Sequence, residues 1–317
     1  MPRLARALVA VLALASAPAL AAPKAGGAAA ESLGDFSLAG LRVPRAILVA
    51  GGPARDQIRS IDQPSFATPE DASWVEALNP VLGVALHGEA HGYPEHVIEQ
   101  HIAVNDVLGG TPVLVVFDPL AGAPFAFQRT VGGRTLDFGV SGLVYNGTSV
   151  LYDRETESLW VPMLAEAIAG PLAGTRLERV PVVKEARDVW LGREPGSTIL
   201  ARADRRIDYR YSPYERYWVE NRIPFPVAAK DESHHAKEIV LGVQLGGKSR
   251  AYLGSELTAA GGRIVDDFHG AKVRVLYDSE DAFLTFEVPP KVQAQEAYWF
   301  VWKAFHPDTE VWHAEQK

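Results

Sequence analysis

The stretch VLGVALHGEAHGYP, residues 81–94, contains the pattern that decides the predicted fold. A short apolar run (81–86) is followed by a His-Gly-Glu turn (87–89) and then by a second extended run that contains His91. Short apolar runs separated by glycine-containing turns are typical of antiparallel strands joined by hairpins. Further runs of this kind are PVLVVF (112–117), PFAFQR (124–129), RTLDF (134–138) and TSVLY (148–152), with predicted turns at Gly132-Gly133 and Asn146-Gly147.

Helical patterns are fewer and shorter than the strand patterns. The clearest one begins at Pro94, whose fixed φ and missing amide hydrogen suit the first turn of a helix over residues 94–103. Other predicted helices are SWVEAL (73–78), WVPMLAEAIAG (160–170) and AQEAYWFVWKAF (294–305). The predicted fold class is therefore α+β, predominantly antiparallel β with short helices.

The second half of the chain repeats patterns of the first half, in the same order. The aligned pairs are LGVALHGEAHGYP (82–94) with LGVQLGGKSRAYL (241–253), VNDVLGGTPVLVVFD (104–118) with VDDFHGAKVRVLYD (265–278), and the surroundings of Trp190 with those of Trp302. Recurrence of several segments in one order is the sequence pattern of an internal repeat. We therefore expect two related lobes from an internal duplication, of which the second is the shorter.

The N-terminus has the pattern of a secretory signal peptide. Arg3 and Arg6 precede an apolar stretch, which is followed by the small-residue sequence Ala19-Leu20-Ala21. The apolar run is shorter than the roughly 20 residues that cross a bilayer, and no later run reaches that length, so no membrane span is predicted. We expect cleavage after Ala21 and a periplasmic or secreted protein.

The predicted organisation has five parts. The first lobe contains the candidate site, and a polar, tyrosine-containing segment connects the two lobes. In chain order the parts are the signal peptide (1–21), a flexible leader (22–32), the first lobe (33–203), the connection (204–237) and the second, shortened lobe (238–317).

Composition limits the possible classes of function. The chain has 317 residues, of which 47% are hydrophobic and 22% are charged, as in an ordinary globular protein. Its formal net charge of −8 argues against nucleic acid as a partner, because phosphate binding needs clustered Lys and Arg. The chain contains no cysteine, which excludes thiol nucleophiles, thiolate metal ligands and disulfides.

Four histidines lie close together in the sequence, but local geometry does not bring their side chains together. His87 is in the hairpin turn, His91 is on a strand, and His96 lies with Glu99 on the polar face of the predicted helix. We expect these three histidines at the surface. A zinc pair on one helix needs a spacing of four residues, whereas His96 and His101 are five apart. His101 lies on the apolar face, where an imidazole needs a hydrogen-bond partner.

His101 is the centre of the candidate site. Asn105 and Asp106 are predicted to end the same helix, and Asp118 ends a buried strand that returns alongside it. We expect these four residues to bind the ligand, and His101, Asp106 and Asp118 are the candidate ligands of a divalent metal ion. In an enzyme, His101 and Asp118 would be the catalytic acid–base candidates. The alternatives are helix capping by Asn105, turn formation by the two aspartates and a core role for His101.

Comparison of the two halves favours His101 as the functional residue. The aligned positions are Asp106 with Asp267, Asp118 with Asp278, His101 with Gly262, and Asn105 with Asp266. Both halves keep the two aspartates, which can therefore serve the fold alone, whereas only the first half has the histidine and the asparagine. We predict that His101 lies within hydrogen-bond or shared-ligand reach of Asp106 or Asp118, in a concave pocket of the first lobe.

Five long motifs occur in one order along most of the chain. They are GGPARDQIRSIDQPSF (51–66), VLGVALHGEAHGYP (81–94), HIAVNDVLGGTPVLVVFDPLAG (101–122), FGVSGLVYNGTSVLYDRETESLW (138–160) and IAGPLAGTRLERVP (168–181). Together they resemble a bacterial extracytoplasmic family known as domain of unknown function 3179. The family's usual pattern is His-Glu-x-Val-Asn-Asp, then a strand, then Cys-Pro-Leu-Cys. Here the glutamate position holds Ile102, and the cysteine positions hold Asp118 and Ala121. The resemblance implies a metal or thiol centre in typical members, and this implication does not carry over to these residues.

Three functions are compatible with the sequence. The first is an exported protein that binds a metal ion or a small ligand in the His/Asn/Asp pocket. The second is an extracytoplasmic hydrolase or group-transfer enzyme that uses Asp118 and His101, although Gly139-x-Ser141-Gly142 lacks the spacing of a nucleophile elbow. The third is a structural or scaffold protein with a degenerate site. The residues favour the first function and leave catalysis open.

Overall fold

The computed structural model describes residues 32–314. The predicted signal peptide and the predicted leader up to residue 31 lie outside the described residues. Between residues 32 and 314 the chain is mostly antiparallel β-structure with five short α-helices, and no helix there is long and apolar enough to cross a membrane. The helices are α1 (Glu95–Ile98), α2 (Arg187–Arg193), α3 (Glu215–Val219), α4 (Gly254–Ala259) and α5 (Trp299–Phe305), and two 3₁₀ turns span Arg45–Ile47 and Pro162–Leu164.

Twenty-four strands lie within residues 32–314. They are β1 (Ser32–Leu33), β2 (Phe36–Ser37), β3 (Leu48–Ala50), β4 (Phe66–Ala67), β5 (Pro80–Leu86), β6 (Glu89–Pro94), β7 (Ala103–Leu108), β8 (Thr111–Asp118), β9 (Ala123–Gln128), β10 (Thr130–Val131), β11 (Arg134–Thr135), β12 (Phe138–Tyr145), β13 (Thr148–Asp153), β14 (Leu159–Val161), β15 (Glu166–Ala169), β16 (Val183–Ala186), β17 (Thr198–Leu200), β18 (Ile239–Leu245), β19 (Lys248–Leu253), β20 (Arg263–Phe268), β21 (Ala271–Asp278), β22 (Phe283–Glu287), β23 (Gln293–Tyr298) and β24 (Glu310–Val311). The predicted predominance of antiparallel β-structure is confirmed.

Five sheets of three to five strands build the framework. The five-stranded sheets have the orders β15-β14-β13-β12-β3 and β16-β5-β6-β17-β4, and the four-stranded sheet has the order β23-β18-β19-β24. The three-stranded sheets are the meanders β7-β8-β9 and β20-β21-β22. Two small hairpins, β1-β2 and β10-β11, pair separately from these sheets.

The predicted hairpins agree closely with the structure. Four predicted strands are found as β5, β8, β9 and β13, and the predicted strand at 134–138 is divided between β11 and β12. The three predicted turns have positive φ at both central residues, which gives them the twist that two-residue hairpins need. These residues are His87 and Gly88, Gly132 and Gly133, and Asn146 and Gly147.

The predicted helix over residues 94–103 is shorter than expected. Helix α1 ends at Ile98, a further turn follows, and Ile102 adopts a left-handed φ of 63°. A right-handed helix cannot continue through that conformation, so the chain leaves it and enters β7. Asn105 and Asp106 therefore lie on a strand and do not end a helix.

The other predicted helices also need correction. Residues 73–78 form turns, and residues 294–305 are divided between β23 and α5. Residues 160–170 contain parts of β14 and β15, because Ala165 has a φ of 52° and helps to reverse the chain between these paired strands. In each case pairing and packing with distant segments outweigh a local helical pattern.

Two segments of the chain have the same order of elements. Residues 80–128 form a hairpin, α1 and the meander β7-β8-β9, and residues 239–287 form a hairpin, α4 and the meander β20-β21-β22. A strand-helix-strand unit later in the chain adds one strand to each side of each hairpin. The unit is β16-α2-β17 for the first hairpin and β23-α5-β24 for the second. Strand β16 pairs antiparallel with β5 and β17 pairs parallel with β6, and β23 and β24 pair in the same way with β18 and β19.

The largest hydrophobic core draws on both segments and on the sheet between them. It contains Phe125 of the first segment, Trp160 of the sheet between them, and Val240 and Leu253 of the second segment. Gly147, at the tip of the β12–β13 hairpin, approaches this core so closely that an added Cβ would lie 2.3 Å from Cε2 of Phe300. The two segments are therefore packed around a common core.

Candidate functional site

Asp106 lies on β7 with a buried carboxylate. Its Oδ2 accepts a hydrogen bond from the Tyr93 hydroxyl at 2.6 Å and lies 2.9 Å from Nδ1 of His91, and its Oδ1 accepts from the N–H of Val107 at 2.7 Å. These contacts fasten the β5–β6 hairpin to β7. His91, predicted at the surface, is buried because its ring also stacks on Phe66.

Asp266 makes corresponding contacts in the second segment. Its Oδ2 accepts hydrogen bonds from the Tyr252 hydroxyl at 2.7 Å and from the Arg250 guanidinium at 2.6 Å. Because the β7–β8 and β20–β21 hairpins have the same register, Asp106 corresponds to Asp266 and not, as the alignment predicted, to Asp267. An aspartate that binds a hairpin tyrosine in both segments serves the fold in both.

Asp118 ends β8 and is fully buried. Its carboxylate accepts hydrogen bonds from the Ser149 N–H at 2.7 Å, the Ser149 hydroxyl at 2.8 Å and the Leu120 N–H at 3.1 Å. Burial raises the pKa of Asp118 to about 6, although these donors oppose the rise. Asp278 forms the same kind of turn after β21, where it accepts from the Glu280 N–H at 2.9 Å. The geometry therefore supports turn formation as the role of Asp118.

Helix α3 of the connection covers the turn that follows Asp118. The Tyr217 hydroxyl donates to the carbonyl of Leu120 at 2.7 Å, and Nε1 of Trp218 donates to the carbonyl of Pro119 at 3.0 Å. The connection therefore covers the turn at Pro119 and Leu120 and shields it from solvent. A substrate in solvent cannot contact the Asp118 carboxylate, because that residue has no exposed surface.

His101 is buried as predicted, but its partners are different from those expected. Nδ1 lies 2.7 Å from the carbonyl oxygen of Arg59, and Nε2 lies 2.8 Å from the hydroxyl of Tyr209. Because a carbonyl oxygen only accepts, Nδ1 carries the hydrogen and Nε2 accepts from the tyrosine. Burial lowers the pKa of His101 and favours this neutral ring. Both ring nitrogens are occupied, and the predicted hydrogen bond with Asp106 or Asp118 is not formed.

Asn105 joins β7 to the start of β12. Its Nδ2 donates to the carbonyl of Phe138 and to Oδ1 of Asp62, both at 2.8 Å, and its Oδ1 accepts from the Phe138 N–H at 2.9 Å. This two-way pairing with the backbone of Phe138 links two strands that belong to different sheets. Helix capping does not apply, since Asn105 is on a strand.

The predicted site residues do not form one metal site. His101, Asp106 and Asp118 belong to separate hydrogen-bond networks, each of which occupies the ring nitrogens or carboxylate oxygens. Within residues 32–314 no three His, Asp or Glu side chains are placed to hold a metal ion. The structure therefore does not support the expected divalent metal site of His101, Asp106 and Asp118.

A large cleft lies beside α1 and the turn that follows it, where the sequence patterns indicate no site. It has a volume of about 1110 Å³, and its walls come from residues 74–80, from α1 with the turn that follows it, and from residues 201–218. Its lining includes Trp74, Glu95, His96, Glu99, Arg202, Tyr209 and Trp218. We call this feature the cleft.

Glu99 is a buried acid in the cleft. Burial raises the pKa of Glu99 to about 8, the negative charges of Glu95 and Glu215 add to the rise, and a hydrogen bond with Ser212 opposes it. At neutral pH the side chain is therefore mostly protonated and can donate a hydrogen bond to a ligand.

Sequence reasoning missed Glu99 because it placed this residue on an exposed helix face. The residue is buried because the segment 204–218 folds over the turn after α1, where Nε2 of Gln100 donates to the carbonyl of Tyr211 at 3.0 Å. The two partners are 111 positions apart in the chain. No periodic pattern could have indicated this contact.

Aromatic and cationic groups stand beside Glu99 in the cleft. The ring of His96 meets Trp74 edge-on at 5.5 Å, and the Arg202 guanidinium lies 4.3 Å from the Trp74 ring centre. Burial, together with the positive charge of Arg202, lowers the pKa of His96 to about 4, so its ring is neutral. Among residues 32–314 no carboxylate forms an ion pair with Arg202, which leaves its charge available to an anionic ligand.

His101 supports one wall of the cleft without entering it. The Tyr209 hydroxyl donates to Nε2 of His101 and accepts from the N–H of Asp204 at 3.0 Å. Asp204 in turn pairs with Arg206 at 2.6 Å. His101 is thus a positioning residue for Tyr209, and Tyr209 lines the cleft.

Residues 55–289 match the family described as a protein of unknown function, DUF3179. The match covers most of the chain. The chain belongs to the DUF3179 family. No curated protein and no solved structure matches the chain.

This DUF3179 member departs from the family pattern at three positions, Ile102, Asp118 and Ala121, which lie close together. The Phe117 N–H donates to the carbonyl of Ile102 at 3.0 Å. The end of β8 therefore lies beside the turn that follows α1 and contains His101, as predicted. Ile102 and Ala121 are buried in the main core, and Asp118 is buried with them. With two apolar residues at these positions, Asp118 alone provides no metal site.

Proposed function

We propose that this protein is exported and binds a small organic molecule in the cleft. One observation carries the proposal: the cleft combines a buried carboxyl group, an arginine without a carboxylate partner among residues 32–314, and aromatic rings. Its volume of about 1110 Å³ is slightly larger than the usual range for small-molecule sites.

The chemistry of the cleft favours a ring-containing acid as the ligand. Trp74 and Trp218 offer flat apolar faces, on which a sugar or aromatic ring can pack. Arg202 offers a planar cation that pairs with a carboxylate or phosphate through two parallel hydrogen bonds. The protonated Glu99 offers a donor to a hydroxyl or carbonyl oxygen. A divalent metal ion is not part of the proposal, because no suitable cluster exists within residues 32–314.

The binding proposal is tested with ring-containing acids. Galacturonate, glucose 6-phosphate and 4-hydroxybenzoate are screened by thermal shift, and binding is measured by calorimetry. At least one probe is expected to raise the Tm, and Arg202→Ala is expected to weaken its binding about tenfold or more, because a charge-assisted pair is lost. Arg263→Ala, an exposed arginine on β20, is the matched control and should bind as the unchanged protein does. Equal binding by Arg202→Ala, or no binding by any probe, would contradict the proposal and favour a scaffold role.

Export rests on the order of charged, apolar and small residues at the N-terminus. Protein recovered from the producing cells is expected to begin at Ala22, and intact-mass measurement with N-terminal sequencing checks this. A recovered chain that still begins at Met1 would show that the leader is not cleaved.

Catalysis by Glu99 is a second candidate function. The observation that favours it is a buried carboxyl group with a pKa of about 8 in a cleft, which suits a general acid near neutral pH. His101 and Asp118 do not support the hydrolase alternative, since both are fully hydrogen-bonded within the fold. If the protein is an enzyme, Glu99→Gln is expected to abolish turnover and to keep ligand binding. If it is a binding protein, the unchanged protein shows no turnover of the ligand.

We also propose that the two similar segments arose by duplication. Support comes from the shared element order, from the Tyr93–Asp106 and Tyr252–Asp266 hydrogen bonds, and from a second shared contact. In that contact Nε1 of Trp190 donates to Ser197, as Nε1 of Trp302 does to Thr309. Two unrelated segments would have no reason to share both.

A further inference from the structure

A second cavity, separate from the cleft, lies between the two similar segments. It has a volume of about 550 Å³ and is bordered by β9 and β16 on one side and by β22 and β23 on the other. Much of its wall is apolar, with Phe125, Leu284, Phe286, Val288 and Val292. None of its lining residues lines the cleft. We call this feature the apolar cavity.

Two cations at the apolar cavity are already paired with carboxylates. Lys184 forms an ion pair with Glu296, and Arg193 pairs with Glu185 at 2.8 Å. These charges are neutralised within the protein and attract a ligand only weakly.

Arg179, the third cation, is arranged differently. Its Nη1 donates to Oε1 of Gln295 at 3.2 Å and its Nη2 donates to the carbonyl of Met163 at 3.0 Å, so both acceptors are neutral. The guanidinium also lies over Phe125 and Phe127, 5.8 and 5.6 Å from their ring centres. Among residues 32–314 it has no ion pair with a carboxylate, and it lines the apolar cavity.

A cation in such a place is a suitable partner for an external anion. A guanidinium has five N–H groups, and the two hydrogen bonds to neutral oxygens leave others available. A carboxylate would restore the missing negative charge and could bind through two parallel hydrogen bonds.

We propose that the apolar cavity binds a long-chain carboxylate, with the head group on Arg179 and the hydrocarbon chain on the apolar wall. The charged group fixes the head, and Phe286, Val288 and Val292 remove the chain from water. A volume of about 550 Å³ is within the usual range for a small-molecule site. The proposal does not depend on a ligand in the cleft.

The test uses the full mature chain and palmitate as the probe, with displacement of fluorescent cis-parinaric acid as the measurement. Palmitate is expected to bind, hexadecanol to bind about tenfold more weakly because it lacks the charge, and acetate not to compete because it lacks the chain. Hexadecyl phosphate distinguishes a phosphate head from a carboxylate. If it binds more tightly than palmitate, the assignment to a carboxylate is wrong.

Variants separate the roles of the head group and the wall. Arg179→Gln is expected to weaken palmitate about tenfold or more and to leave hexadecanol unchanged, whereas Phe286→Ala should weaken both. Arg176→Gln is the matched control, since this exposed arginine pairs with Glu166 and does not line the cavity. Circular dichroism checks folding, and Arg179→Met, which also removes the charge, replaces the glutamine variant if that one does not fold. The proposal is overturned if palmitate fails to bind the unchanged protein at about 1 mM, or if a folded Arg179 variant without the charge binds it as tightly as the control does.

Discussion

Gly83→Ala is expected to lower the free energy of unfolding by about 3 kcal/mol or more, because the position has no room for a side chain. An added Cβ at Gly83 would lie 2.3 Å from Cε3 of Trp190, whose ring is almost fully buried. The ring cannot shift easily, since its Nε1 donates to the Ser197 hydroxyl at 2.7 Å. A displaced indole would therefore lose both its packing and this hydrogen bond.

Gly242→Ala should have a similar effect in the second segment. There an added Cβ would lie 2.2 Å from Cε3 of Trp302, and Nε1 of that ring donates to Thr309 at 2.9 Å. Gly192→Ala is the matched control, because this glycine is in α2 with no atom within 4 Å of its added Cβ. Alanine is a better helix former there, and a gain of up to about 1 kcal/mol is expected. Urea unfolding measures all three variants, and losses below about 1 kcal/mol for the first two would refute the packing argument.

The sequence predicted hairpins well because their determinants are local. Turn residues such as Asn146 and Gly147 need positive φ, and the apolar runs beside them have the length of strands. The similarity of Trp190 and Trp302 could also be recognised from the sequence. That each indole packs on a strand glycine could not be predicted, because the pairs Gly83–Trp190 and Gly242–Trp302 are far apart in the chain.

The prediction for His101 was correct in burial and incorrect in partners. An apolar face around a histidine predicts that the ring is enclosed, and it is. Its partners, Arg59 and Tyr209, are 42 and 108 positions away, so no pattern near the histidine could identify them.

Comparison of the two segments helps to assign the roles of the two aspartates. Asp106 and Asp118 have counterparts with similar hydrogen bonds in the second segment, which supports roles in the fold.

Glu99 should make the stability of the protein depend strongly on pH. Its pKa rises from 4.5 in the unfolded chain to about 8 in the folded protein. Between these two values the folded state keeps a proton that the unfolded state has lost, so stability is fully present below pH 4.5 and falls as the pH rises towards 8. The full difference corresponds to at most about 5 kcal/mol. Above pH 8 this contribution is constant again.

Glu99→Gln should remove this dependence, because an amide of the same shape does not ionise. The variant is expected to be about as stable as the unchanged protein at pH 5 and more stable at pH 9, with a difference of several kcal/mol that grows between about pH 5 and 8. Glu76→Gln is the matched control, since Glu76 is an exposed acid of the same cleft. Urea unfolding at several pH values measures both variants, and a Glu99→Gln difference that does not change with pH would mean that Glu99 is ionised in the folded protein and cannot donate to a ligand.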